Sequence, residues 1–228
     1  MQPYFFPYPA YFQLIMTVDK FVVYDDVQYI SRGWINRNRI LLNNKPFQIV
    51  MPVKRDSRKK SINERYYSED SLKSKTKLLI QIEQAYKKAP SFEKVFPIVL
   101  KLLFSEERNV SKYNTLVLQE LCDFLQIRTP FYLSSDLNIN KKLSGEKKII
   151  NINQVMGSSI YINSSGGEAL YHKETFLEKG IELKFLKRSN FSYKQFNNSF
   201  IPDLSIIDLL MFSSMESVRK TLEKYQLE

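Results

Sequence analysis

The stretch that decides the fold is Gln2-Pro3-Tyr4-Phe5-Phe6-Pro7-Tyr8-Pro9-Ala10-Tyr11-Phe12, followed by Lys20-Phe21-Val22-Val23-Tyr24-Asp25-Asp26. Three prolines and six aromatic side chains stand in the first of these runs. Proline fixes φ and suppresses helix until a first turn, so the run predicts a rigid connection leading into a helix over residues 11–18. Such a connection aims free backbone N–H groups at one spot, where a phosphate can sit; an aromatic cluster that only closes the core is the alternative. Residues 20–24 form a near-continuous apolar run of strand length, and a strand buried on both faces suits a parallel sheet.

Working outward, residues 39–42 and 46–53 read as two extended segments around Asn43-Asn44-Lys45, a hairpin pattern. From Ser71 the apolar spacing becomes helical, with Leu72, Leu79, Ile82 and Tyr86 on one face until Pro90 forbids continuation. A second helix starts near Phe92, and a third carries Tyr113, Leu116, Val117, Leu121 and Phe124. After Pro130 strands and helices alternate: strand 131–133, helix 145–156, strand 160–162, helix 174–179 closed by Gly180, and strand 182–186. Alternation implies parallel pairing. The expectation is one α/β domain over residues 1–228 with a mostly parallel sheet and a helical insertion at residues 70–128.

The chain has 228 residues, 43% hydrophobic and 25% charged, enough to bury a core and unlike a disordered chain. No apolar run approaches the roughly 20 residues of a membrane helix, and no signal peptide precedes Met1, so a soluble, cytoplasmic protein without membrane insertion is expected. Six glycines leave little material for Gly-rich phosphate loops, and a dinucleotide fingerprint is absent. One cysteine and one histidine exclude disulfides, structural zinc and two-histidine metal sites, so no metal is expected. The net charge of +10 attracts anions: nucleic acid, phosphorylated metabolites or an acidic protein. Residues 54–60, rich in Lys and Arg, read as a solvated loop.

Asp25 and Asp26 end the apolar strand, and open α/β sheets bind ligands beyond the carboxyl ends of their strands. Side chains alternate along a strand, so at most one of the two carboxylates faces a ligand. The densest polar segment is Gln28, Arg32, Trp34, Asn36, Arg37, Asn38 and Arg39. Amides read hydrogen-bonding edges, arginines grip phosphate and an indole stacks, which are the parts of a nucleotide site; a solvated edge strand with a core-packed Trp is the alternative. Gly166 and Gly167 end a strand and allow close backbone approach, or form an ordinary turn. Ser205 and Asp208 fit an N-terminal capping arrangement. Cys122 reads as a small hydrophobe, and His172 as the sole imidazole available for general base catalysis.

These residues carry a family resemblance. Gln2 to Pro7 with Tyr11-Phe12, Phe21-Val22-Val23-Tyr24-Asp25-Asp26-Val27-Gln28-Tyr29, Arg32-Gly33-Trp34-Ile35-Asn36-Arg37-Asn38-Arg39-Ile40, Gly166-Gly167 and Leu204-Ser205-Ile206-Ile207-Asp208 are similar to blocks of the WbqC-like family. Members usually carry a few apolar residues before the Gln-Pro pair, forming a first strand, whereas this sequence starts at Met1-Gln2. They also often carry a Trp and a His in the helix before Tyr86, and residues 78–84 contain neither.

The resemblance implies a place in O-antigen and other surface-polysaccharide biosynthesis, with nucleotide-linked amino sugars as substrates. The reaction it implies is transfer of an aminoacyl group, such as glycyl, from a carrier-protein thioester to the sugar amine. It needs no cofactor beyond a phosphopantetheine-bound donor, and the basic surface would dock an acidic carrier. Proton handling then falls to Asp25, Asp26 or His172, and substrate binding to Gln2, Tyr11, Gln28, Arg32, Trp34, Asn36, Arg37, Asn38, Gly166, Gly167, Ser205 and Asp208. The strand, Pro-bearing turn and helix are also similar to the start of nucleotidylyltransferases with a HIGH-type motif, with the histidines lost. By that analogy the fold is Rossmann-like and three-layered, and nucleotidyl transfer is an alternative activity. Binding of single-stranded nucleic acid is another, from arginines interleaved with aromatics.

Overall fold

The computed structural model describes residues 1–196 and 199–228. Helix α1, Pro9–Thr17, starts with Pro9 in its first turn, where the missing N–H costs nothing. Strand β1 follows at Phe21–Val23. Its residues alternate in the way a two-sided strand must: Phe21 and Val23 enter the large core, while Val22 and Tyr24 pack on a second, smaller one. Strands β2, Arg37–Leu42, and β3, Lys45–Val50, form the expected antiparallel hairpin. Its turn places Asn43 at φ 50° and Asn44 at φ 61°, the paired left-handed conformations that asparagine tolerates and a two-residue hairpin needs.

The middle of the chain is helical, with α2 at Ser71–Tyr86, α3 at Phe92–Leu103 and α4 at Val110–Leu125. Their buried faces join α1, β2 and the carboxy-terminal helices in one hydrophobic cluster running from Phe5 to Leu222. Then come β4, Phe131–Leu133, α5, Gly145–Val155, β5, Ile160–Ser164, a 3₁₀ segment Ser165–Leu170, α6, Lys173–Leu177, and β6, Glu182–Arg188. Helices α7, Ile206–Phe212, and α8, Met215–Leu222, with strand β7, Tyr225–Leu227, close the chain. Buried Gln13 in α1 donates to the Thr221 and Lys224 carbonyls at 3.1 and 3.0 Å, tying α1 to the end of α8 and the residues just after it.

The α/β class is as expected, and β1 with β4 and β5 with β6 pair in parallel. The strands nevertheless fall into three small sheets, ordered β1-β4, β2-β3 and β5-β6-β7, rather than one continuous parallel sheet. The physical reason lies between β1 and β5. Both strands line a cavity of about 310 Å³, with Met1, Val22, Ile160 and Ile162 on its walls. Among the described residues Met1 alone pairs with that edge of β1, its nitrogen donating to Val22 O at 2.9 Å and its carbonyl accepting from Tyr24 N–H at 2.7 Å. This is the hydrogen-bond pattern of a parallel pair, confined to one residue. No helix among the described residues is long and apolar enough to cross a membrane.

Candidate functional site

A second cavity of about 310 Å³ lies at the carboxyl ends of β5 and β6, where Ser164 and Arg188 terminate their strands. Its walls include Tyr8, Trp34, Arg39, Gly166, Arg188 and Asp203. Ala10 at the start of α1 also borders it, so the first turn of that helix stands at the rim. This is where a parallel sheet presents its loops to ligands.

The connection before α1 is held in place by side chains from distant parts of the chain. Asn38 Nδ2 donates to the carbonyls of Phe5 and Phe6 at 3.0 and 2.7 Å, and its Oδ1 accepts from Arg39 N–H. Ser205 Oγ donates to Phe6 O at 2.7 Å while accepting from Ile207 N–H, so it both caps α7 and holds the connection. Asn114, buried in α4, donates to the Pro3 and Ile35 carbonyls. These bonds hold Phe6 at φ 42°, a left-handed conformation that a bulky residue adopts only under such constraint.

The cavity is cationic and aromatic. The Arg39 guanidinium stands 5.3 Å from the Trp34 ring centroid, its Nη2 donates to Asp203 O at 3.3 Å, and its buried Nε has no hydrogen-bond partner among the described residues. Arg188 pairs with the Asp203 carboxylate. Burial is the main cause that pushes the Tyr8 hydroxyl up, with Tyr4 and Asp203 adding to the rise and Arg188 opposing it. Trp34 is 37% exposed, so part of the indole that Arg39 does not cover faces the cavity rather than the core.

Among the expected site residues, Trp34, Asn38 and Gly166 line this cavity. The Tyr11 ring is buried and its hydroxyl donates to Gln2 O at 2.7 Å, which ties both residues to the connection itself. Gln28 donates to Arg58 O, and Arg32 is exposed at φ 70°. Asn36 is buried and donates to Met51 O at 2.8 Å. Arg37 opens β2 half-buried, away from the cavity wall. A Cβ on Gly167 would stand 2.6 Å from Asn163 Nδ2, so that glycine makes room for a neighbouring side chain. Asp208, fully buried, accepts from Tyr86, Tyr193 and Gln195 at 2.7, 2.7 and 2.6 Å. Through Gln195, which bonds both the N–H and the carbonyl of Ile201, it anchors the segment that carries Asp203.

The three residues expected to handle protons stand apart from the cavity wall. Asp25 is buried and accepts from Ser111, Ser134 and Ser135, including the Ser135 backbone N–H. Asp26 forms a buried ion pair with Lys148 at 2.8 Å. His172 has a side chain 76% exposed and lies 3.3 Å from Glu146. Cys122 is buried, and burial pushes its thiol up to about 12, as expected of an inert core cysteine. No cluster of metal-ligating side chains occurs among the described residues.

Sequence reasoning missed Tyr8, Asn114, Arg188 and Asp203. For Arg188 a usable signal existed, since the rule about carboxyl ends of strands applies to the strand ending near Leu186 as well as to the one ending near Tyr24.

The profile of the WbqC-like protein family matches residues 2–220. An uncharacterized protein of Mycobacterium tuberculosis is 28% identical over 214 residues, covering 92% of this chain and 90% of that protein. No solved structure matches the chain.

Proposed function

The chain belongs to the WbqC-like protein family, and from that premise we propose that it is a transferase acting on a nucleotide-linked amino sugar. It moves an aminoacyl group, such as glycyl, from a carrier-protein thioester to the sugar amine, in the cytoplasm, for surface-polysaccharide assembly. The observation that carries the reading is the cavity at the ends of β5 and β6, which combines an exposed indole with two arginines. An indole offers a stacking face to a base, and guanidinium groups match phosphate oxygens in pairs. Gly166 at the rim leaves open space, since an added Cβ would meet only Ser164 Oγ at 4.0 Å.

Attack by an amine on a thioester requires the amine unprotonated, a route for its proton and donors for the tetrahedral oxyanion. The net charge of +10 favours approach of an acidic carrier as well as of the diphosphate. The test is incubation with a glycyl-loaded carrier and a dTDP-linked 4-amino sugar. The expected product is heavier by one glycyl residue, and no mass change across a panel of acyl donors and amino sugars removes this reaction.

A further inference from the structure

We propose that Asp203 and Arg188 together select a ligand bearing both an anion and an amine, with Asp203 receiving the amine and Arg188 the anion. The inference rests on the reading of the cavity as a nucleotide-sugar site and deepens it.

The cavity wall holds two guanidinium groups and one carboxylate. A site for a simple anion has no use for that carboxylate, because it repels the ligand and competes for Arg188. Yet Asp203 is firmly held. Its backbone adopts φ 60°, which costs energy in any residue but glycine and is tolerated best by Asp and Asn. Its carbonyl accepts from Arg39, and its carboxylate pairs with Arg188. Both members of the pair are close to half exposed, 46% for Arg188 and 43% for Asp203, so water screens their contact and a ligand can replace it on both sides. A ligand bearing an anion and an ammonium replaces one ion pair by two on binding, before the ammonium gives up the proton that attack on a thioester requires, whereas a purely anionic ligand leaves Asp203 facing like charge. Among the described residues Asp203 is thus the carboxylate that lines this cavity, while Asp25 and Asp26 are engaged elsewhere.

Calorimetric titration at pH 6.5 with UDP-glucose and UDP-glucosamine, which differ by a hydroxyl and an ammonium at one sugar carbon, tests the proposal. The parent is expected to bind UDP-glucosamine about fivefold more tightly than UDP-glucose. Asp203→Asn, which keeps the backbone preference, is expected to abolish that ratio and to bind UDP-glucose as well as or better than the parent. Equal affinities in the parent, or a ratio that survives in the variant, overturn the role of Asp203 while leaving the cavity a nucleotide-sugar site. Where neither binds, the dTDP-linked 4-amino sugar and its 4-hydroxy counterpart are titrated in the same way, and binding of none of the four overturns the reading of the cavity, and this inference with it.

Discussion

Aspartates stand near two strand ends in this molecule, just after β1 and across from the last residue of β6, and they are put to opposite uses. Beyond β1, Asp25 accepts four hydrogen bonds at 2.7–3.1 Å inside the protein, and Asp26 is closed off by Lys148. Beyond β6, Asp203 meets Arg188 in a half-exposed cavity beside an indole. The first arrangement is saturated and holds a loop; the second has capacity left for a ligand. What separates a structural carboxylate from one available to chemistry is the number of partners already bound, not its place after a strand.

The largest expected effect tests the saturated end. Asp25→Ala leaves the Ser135 N–H and the Ser111 and Ser135 hydroxyls without their acceptor, while the Ser134 hydroxyl keeps Asp26 at 2.6 Å, and should lower stability by about 3 kcal/mol in urea unfolding. A variant of parental stability that loses nucleotide-sugar binding would reverse the comparison. Next, Lys148→Met should cost about 2 kcal/mol by stranding Asp26 as a buried unpaired charge, and adding Asp26→Asn should restore much of the loss. At the open end, Trp34→Ala should weaken nucleotide-sugar affinity by about 1.5 kcal/mol with no change in unfolding midpoint. An unchanged affinity would place the indole outside the ligand's reach.

The smallest effect concerns Asp208. Burial holds its carboxyl above the ordinary carboxylate range, while its three hydrogen bonds pull it partly back. A group that binds its proton more tightly in the folded than in the unfolded chain stabilises the fold most in acid, and this stability is lost as pH rises through the raised value. Asp208→Asn cannot follow that course. It should be destabilised by about 1 kcal/mol at neutral pH through mispaired amide and hydroxyl groups, and by more in acid. A deficit that grows as pH rises would instead mean that the folded chain favours the ionised carboxylate.

Much of the fold was legible because it rests on local rules. Asn43-Asn44 between apolar flanks specifies the hairpin, and the run at Phe21 announced a strand buried on both faces. A single parallel sheet was not to be had from local pattern, since it depends on what lies between β1 and β5. The site was legible in part. Trp34, read in the sequence as a stacking plane, lines the cavity, but the amides of Asn36 and Asn38 bind backbone carbonyls with the chemistry that would read a base. Residue type alone cannot distinguish those uses. Arg188 and Asp203 belong to no local motif and reach Trp34 and Arg39 only through the tertiary fold.

The bond from Ser205 to Phe6 spans 199 positions. During synthesis the aromatic connection therefore emerges long before the hydroxyl that completes its hold, and the strained turn at Phe6 has the Asn38 amide but not Ser205 until the last helices have left the ribosome. Shortened chains ending ahead of Ser205 should accumulate as partly ordered species able to bury much of the helical middle but not to bind ligand. Competence to bind would then be the final event in maturation, so ligand capture by a nascent chain reports completion of the fold rather than its onset.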